Sequence, residues 1–107
     1  MSVEMIVVLT MAPDENSAER ISRELVESRL AACCSLVKGL TSTYWWEGKV
    51  EEAEEVLLII KTSRVLYREV ERKIRDLHPY KVPEIVAFKV EAGLPEYLSW
   101  LREALRE

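Results

Sequence analysis

Two stretches of this chain are apolar on both of the faces that a β-strand presents. In EEVLLIIKT (54–62), Val56, Leu58 and Ile60 point one way while Leu57 and Ile59 point the other. In VEMIVVLTMA (3–12), Ile6 and Val8 likewise oppose Met5, Val7 and Leu9. An antiparallel sheet with one wet face alternates apolar and polar residues, so these strands belong to a sheet that needs cover on both sides. A chain of 107 residues has room for one domain, 1–107, built on one core.

The remaining elements follow from periodicity and punctuation. Pro13 closes the first strand and Asp14 offers an N-cap. Apolar residues at 18, 21, 25, 26 and 30 then keep helical spacing, which predicts a first helix to Leu30. Residues 32–46 read as a second strand, Glu47-Gly48-Lys49 as a turn and 50–62 as the third strand of a long hairpin. Leu66, Val70, Ile74 and Leu77 form the stripe of a second helix over 65–77, which His78-Pro79 stops. A fourth strand is expected over 83–91, and Pro95 opens a last helix carrying Tyr97, Leu98, Leu101 and Leu105. The order β-α-β-β-α-β-α predicts an α+β, ferredoxin-like fold with a C-terminal helix.

In that topology two helices cover one face of the sheet, and the last helix is too short to cover the other alone. An oligomer is therefore expected. The second strand, about 15 residues at roughly 3.3 Å each, makes an arm of some 50 Å. Its tip carries Tyr44, Trp45 and Trp46, aromatic residues of the kind that anchor subunit interfaces; a hairpin folded back on its own core is the alternative.

Composition narrows the function classes. Acidic residues outnumber basic ones, for a net charge of −4, and no Lys/Arg run is available to neutralise phosphates, so nucleic acid is not an expected partner. The opening MSVEMIVVLTMAP has neither a basic leader nor a spanning length of apolar residues, which predicts no membrane partner and a cytoplasmic location. Glutamine is absent while Glu, Arg and Lys are plentiful, a composition associated with thermostable proteins. Cys33 and Cys34 are adjacent, a strained arrangement for a disulfide, and read as reduced, buried thiols.

No Gly-rich phosphate loop, HExxH, CxxC or GxSxG is present, and no motif ties a nucleophile to the single histidine, so the chain is not expected to be an enzyme. That histidine sits in LHPYKVPE (77–84), between a helix end and two prolines. It reads first as a rigid corner and second as a metal ligand, with Glu84 as a weak partner; no cofactor is required, and copper or another divalent cation is the candidate ligand. By strand alternation Glu84 shares a face with Val86, Phe88 and Val90, and a partly buried carboxylate there would want a cation such as Lys61. Lys61, Glu84, Tyr80 and Trp46 would together make an amphipathic small-ligand cleft; a structural ion pair is the alternative.

RLAAC (29–33), YWWEGKVEE (44–52), EEVLLIIKT (54–62), HPYKVPEI (78–85) and YLSWL (97–101) together resemble the CutA divalent-ion tolerance family over nearly the whole chain. The resemblance implies a ferredoxin-like subunit in a homotrimer similar to PII-like signalling proteins, with hairpins locking neighbours and clefts between subunits. It also implies a copper site at the end of the first strand and at the two residues before the HPY proline, which here are Thr10, Leu77 and His78, so only His78 keeps a ligand side chain. Cys33 matches the family's AAC cysteine. Family members in animals resemble the same trimer and are linked to the anchoring of a membrane-associated enzyme, a scaffold role.

Overall fold

The computed structural model describes residues 4–106; Val3, where the first strand was expected to begin, lies outside them. The elements are β1 (Met5–Ala12), α1 (Glu15–Glu27), β2 (Cys33–Trp46), β3 (Lys49–Ser63), a 3-10 turn (Arg64–Leu66), α2 (Tyr67–Leu77), β4 (Ile85–Lys89) and α3 (Pro95–Ala104). The strands form one antiparallel sheet in the order β2-β3-β1-β4. This is the expected α+β, ferredoxin-like arrangement, with the two most apolar strands at its centre.

Register explains why both faces of the central strands are apolar. Val8 pairs with Ile60, and Ala12 with Val56, and these side chains join Ala18, Ile21 and Leu25 of α1 and Val70 and Ile74 of α2 in one core. On the other face Leu9 lies between Ile59 and Val86, and Val7 between Lys61 and Phe88. Helix α3 covers only one end of that face, where its Tyr97 reaches Lys61. Its other end returns to the helix layer: Arg29 donates to the Glu103 and Ala104 carbonyls, and Arg106 pairs with Glu69. The rest of the face is open, with Val86 and Phe88 exposed.

Local chemistry sets the boundaries. Asp14 caps α1 by accepting the Ser17 N–H at 2.7 Å, a bond that holds its carboxyl below the ordinary range. The helix stops at Glu27, three residues short of the expected end, because Arg29 takes a left-handed φ of 62° and turns the chain. Val26, expected on the apolar stripe, lies within the helix but off the buried line of Ala18, Ile21 and Leu25 and is exposed, whereas Leu30 is buried outside the helix. Glu47 and Gly48 both have positive φ, the requirement of a two-residue type I′ hairpin turn, so Lys49 belongs to β3 rather than to the turn. Strand four is shorter than expected, with Glu84 before it and Val90 and Glu91 after it.

The hairpin runs the length of a molecule 47 Å in its longest dimension. Gly39, at φ 75°, marks a bulge in which Val37 pairs with Leu57 but Leu40 pairs with Glu55. The extra residue reverses which side chains of β2 continue the open face. Tyr44 and Trp46 therefore lie on one side of the arm and Trp45, 74% exposed, on the other.

Two buried threonines make opposite predictions. The Thr62 hydroxyl donates to the Leu30 carbonyl at 2.7 Å, whereas the Thr10 hydroxyl is buried with no hydrogen-bond partner among the described residues. Valine keeps the shape and removes the hydroxyl. Thr10→Val should raise the urea midpoint by an amount corresponding to about 1 kcal/mol, and Thr62→Val should lower it by about 1–2 kcal/mol, because it orphans a carbonyl. Equal shifts of the same sign would refute the assignment.

Candidate functional site at the HPYKVPE corner

Helix α2 ends because Pro79 disfavours helical backbone at the residue before it, and His78 is accordingly extended at φ −78°, ψ 133°. Its N–H still donates to the Ile74 carbonyl at 2.8 Å, so the residue belongs to the helix end by one bond and to the connector by its backbone. The residue is 8% exposed. Nε2 lies 2.6 Å from the Met11 carbonyl oxygen, and Nδ1 accepts the Tyr80 N–H at 3.0 Å. A carbonyl only accepts and a backbone N–H only donates, so the partners fix the Nε2–H tautomer. The imidazole thus ties the end of β1 to the connector and has no lone pair free for a metal.

Tyr80 extends the corner. Its ring packs on His78 with centroids 4.9 Å apart, and its hydroxyl donates to Glu55 Oε2 at 3.1 Å. Burial first, and then the Glu55 carboxylate, push the Tyr80 hydroxyl pKa above the usual phenol value. Glu55 was not expected at the site. Its signal was parity: it stands in line with Leu57 and Ile59 at the head of an apolar run, and it is nearly buried.

The other expected residues are not gathered here. Glu84 is exposed and forms no ion pair among the described residues, which corrects its expected burial and its pairing with Lys61. Register gives the reason: Lys61 is level with Val7 and Phe88, while Glu84 precedes Ile85, which is level with Thr10. Lys61 instead donates to the Tyr97 hydroxyl at 3.1 Å, an interaction that raises its own pKa. Trp46 pairs with Lys49, twelve residues from Lys61 along β3, which is roughly 40 Å at about 3.3 Å per residue. One subunit therefore cannot place Trp46 and Lys61 in the same cleft. Tyr97, which stacks on Trp100 at 5.8 Å, is legible in the sequence only as part of an apolar stripe.

No group of three or more His, Cys, Asp or Glu side chains able to hold a metal ion occurs among the described residues. Both cysteines are free and half-buried rather than buried. They point to opposite faces, Cys33 toward Tyr97 at 3.9 Å and Cys34 into the helix layer, where burial pushes its thiol up to about 11. An unfolded Cys34 would lose its proton near its ordinary value of 9.0, so between about 9 and about 11 the unfolded chain binds fewer protons than the folded one. Stability should therefore fall as pH rises through that window, and the raised values of Tyr67, Tyr80 and Lys61 act in the same direction. Urea midpoints at about pH 8 and about pH 10.5 check this, with Cys34→Ala reducing the drop.

The family model described as "CutA1 divalent ion tolerance protein" matches residues 6–104. This chain belongs to the CutA1 divalent ion tolerance family. Among CutA relatives, the divalent-cation tolerance protein of Thermus thermophilus is 50% identical over 97 residues, 91% of this chain and 94% of that protein. That of Pyrococcus horikoshii is 43% identical over 103 residues, 96% of this chain and all of that protein. The crystal structure of CutA1 from Oryza sativa superposes with a TM-score of 0.96 at 39% identity, covering 99% of this chain and 97% of that one. Of the CutA copper positions implied by the resemblance, Thr10 is buried in the core, Leu77 is an apolar helix residue and His78 is committed to two backbone groups.

Proposed function

We propose that this chain acts as a non-enzymatic homotrimer in divalent-cation tolerance. The observation that carries the reading is the open sheet face. Val7, Leu9, Leu57 and Ile59 are only half-buried and Val86 and Phe88 are exposed, a contiguous apolar surface that a second copy of the chain would cover. The arm with Tyr44 and Trp46 continues that side of the sheet and would extend onto a neighbour. Copper or another divalent cation would bind weakly, at the subunit surface and clefts. His78 would ligate only by giving up the Tyr80 N–H, and Glu84 is the exposed carboxylate at hand. Free, unpaired thiols fit the cytoplasm.

A strain lacking the protein should stop growing at a lower copper concentration than its parent. Growth should return with the wild-type chain and not with a variant that cannot assemble. Unchanged tolerance in the deletion strain would remove the proposal. Calorimetry with Cu(II) and Zn(II) should give shallow isotherms that His78→Ala and Glu84→Ala scarcely alter; tight binding of one ion per chain, abolished by His78→Ala, would contradict the weak-binding reading.

A second reading, a sensor that takes a small anionic metabolite in the subunit clefts, is favoured by Lys61, which has no carboxylate partner among the described residues and lies over the Tyr97 ring. Trp fluorescence across a panel of anionic metabolites tests it, and a response lost in Lys61→Ala would select it.

A further inference from the structure

Helix α2 turns a row of arginines outward. Arg68, Arg72 and Arg75 follow at spacings of four and three, which on a helix of 3.6 residues per turn places them in a sector about 60° wide, opposite the buried Val70 and Ile74. Arg64 comes into line on the preceding 3-10 turn. Two grooves adjoin the row and share Arg68 and Glu71. One, of about 490 Å³, lies between α2 and the edge strand β4, with Arg64, Arg68 and Lys89 around a floor that includes Ile6 and Ala87. The other, of about 370 Å³, continues along the helix beside Arg72 and Arg75.

The carboxylates nearby leave these cations largely unpaired. Glu71 Oε2 accepts the Tyr67 hydroxyl at 3.0 Å. Glu4 is shared by Arg64 at 3.7 Å and Lys89 at 3.4 Å, both longer than a good charged hydrogen bond. Arg68, Arg72 and Arg75 form no ion pair among the described residues, although Asp76 lies beside them. Like charges at i, i+4, as in Arg68/Arg72, destabilise a helix, and Glu71 and Asp76 beside the row offset that repulsion without forming an ion pair to Arg68, Arg72 or Arg75 among the described residues. An anion seated on the row would pair with these arginines directly.

The length of the row and its chemistry define the occupant. From Arg64 to Arg75 it extends about 16 Å, room for several phosphate groups in line rather than one. Guanidinium groups are planar forks matched to phosphate oxygens, where lysines would act as point charges. The row is one helix wide, is flanked by Glu71 and Asp76, and belongs to a chain of net charge −4, which repels a long polyanion. We propose that this groove binds a small oligophosphate, with Arg64, Arg68 and Lys89 holding one end and Arg72 and Arg75 the other. The arginine row lies on the helix side of the sheet, and of the β4 residues lining the groove only Phe88 also belongs to the open face.

The test is calorimetric titration of the full-length protein, in its native assembly, with inorganic tripolyphosphate at about 50 mM salt. Saturable binding of one ligand per chain is expected, weakening as salt rises. Arg68→Ala should weaken binding about tenfold, Arg68→Lys less because the charge is kept and the fork lost, and Arg68→Glu with Arg72→Glu should abolish it. Arg23→Ala, on the far helix, should leave affinity unchanged. These arginines are exposed, and unaltered thermal midpoints would show that the variants are folded. Absence of saturable binding, or equal affinity in the double charge reversal, overturns the proposal. So does tighter binding of duplex DNA than of tripolyphosphate, or a changed assembly mass in the double variant, which would assign the row to a nucleic acid or to the acidic arm of a second copy.

Discussion

Ile59→Asp should reduce the particle seen by light scattering to a single chain of 12.4 kDa, where the wild type should give three times that mass. Ile59 pairs with Leu9 on one side and Ser35 on the other, near the middle of the open face and away from the rim where α3 packs. In one chain its side chain is half-buried, so a carboxylate there remains hydrated and the helix-side core, which uses Val8, Leu58 and Ile60, is untouched. In an assembly closed over this face the same carboxylate would be buried without a partner. An unpaired buried charge costs several kcal/mol, and three-fold symmetry imposes the cost once per chain. Far-UV circular dichroism should therefore remain native while the mass falls to one third. A variant that keeps the wild-type mass would show that subunits meet elsewhere, and a wild-type monomer would remove the trimer altogether.

The features from which an assembly is expected are legible because they depend only on strand parity. VLLII and MIVVL are apolar at every position, and in this chain α1 and α2 cover one face of the sheet while α3 covers only one end of the other. The hairpin was legible for a similar reason, since Glu47-Gly48 supplies the two left-handed residues that a tight turn needs. Boundaries were harder to read where a backbone turn, not a side-chain pattern, ends an element. Arg29 stops the rotation that would have put Val26 and Leu30 on one stripe, and nothing in the residue type announces a left-handed arginine. The site was the least legible part. Lys61 and Glu84 have the right chemistry for a pair, but pairing depends on register across two neighbouring strands, which the sequence does not print. Tyr97 and Glu55, the groups that Lys61 and Tyr80 actually contact, lie 36 and 25 residues away from them.

His78→Ala should lower the stability of the protein by about 2–6 kcal/mol, the sum of two orphaned backbone groups, each of which costs about 1–3 kcal/mol when buried. The alanine variant leaves the Met11 carbonyl and the Tyr80 N–H without the ring nitrogens that satisfy them, and it removes the surface on which the Tyr80 ring packs. Both losses fall where β1 ends and the connector to β4 begins, so the effect should appear as a lower urea midpoint and as faster amide exchange at Tyr80. Adding Cu(II) separates a corner from a ligand. If the ring served the metal, copper would stabilise the wild type and not the variant, and the gap between them would widen with metal concentration by mass action. Because both nitrogens are spent on backbone, the gap should stay constant across the titration. A variant as stable as the wild type without metal, separating from it only when copper is added, would return His78 to the role of ligand and make the two prolines its frame.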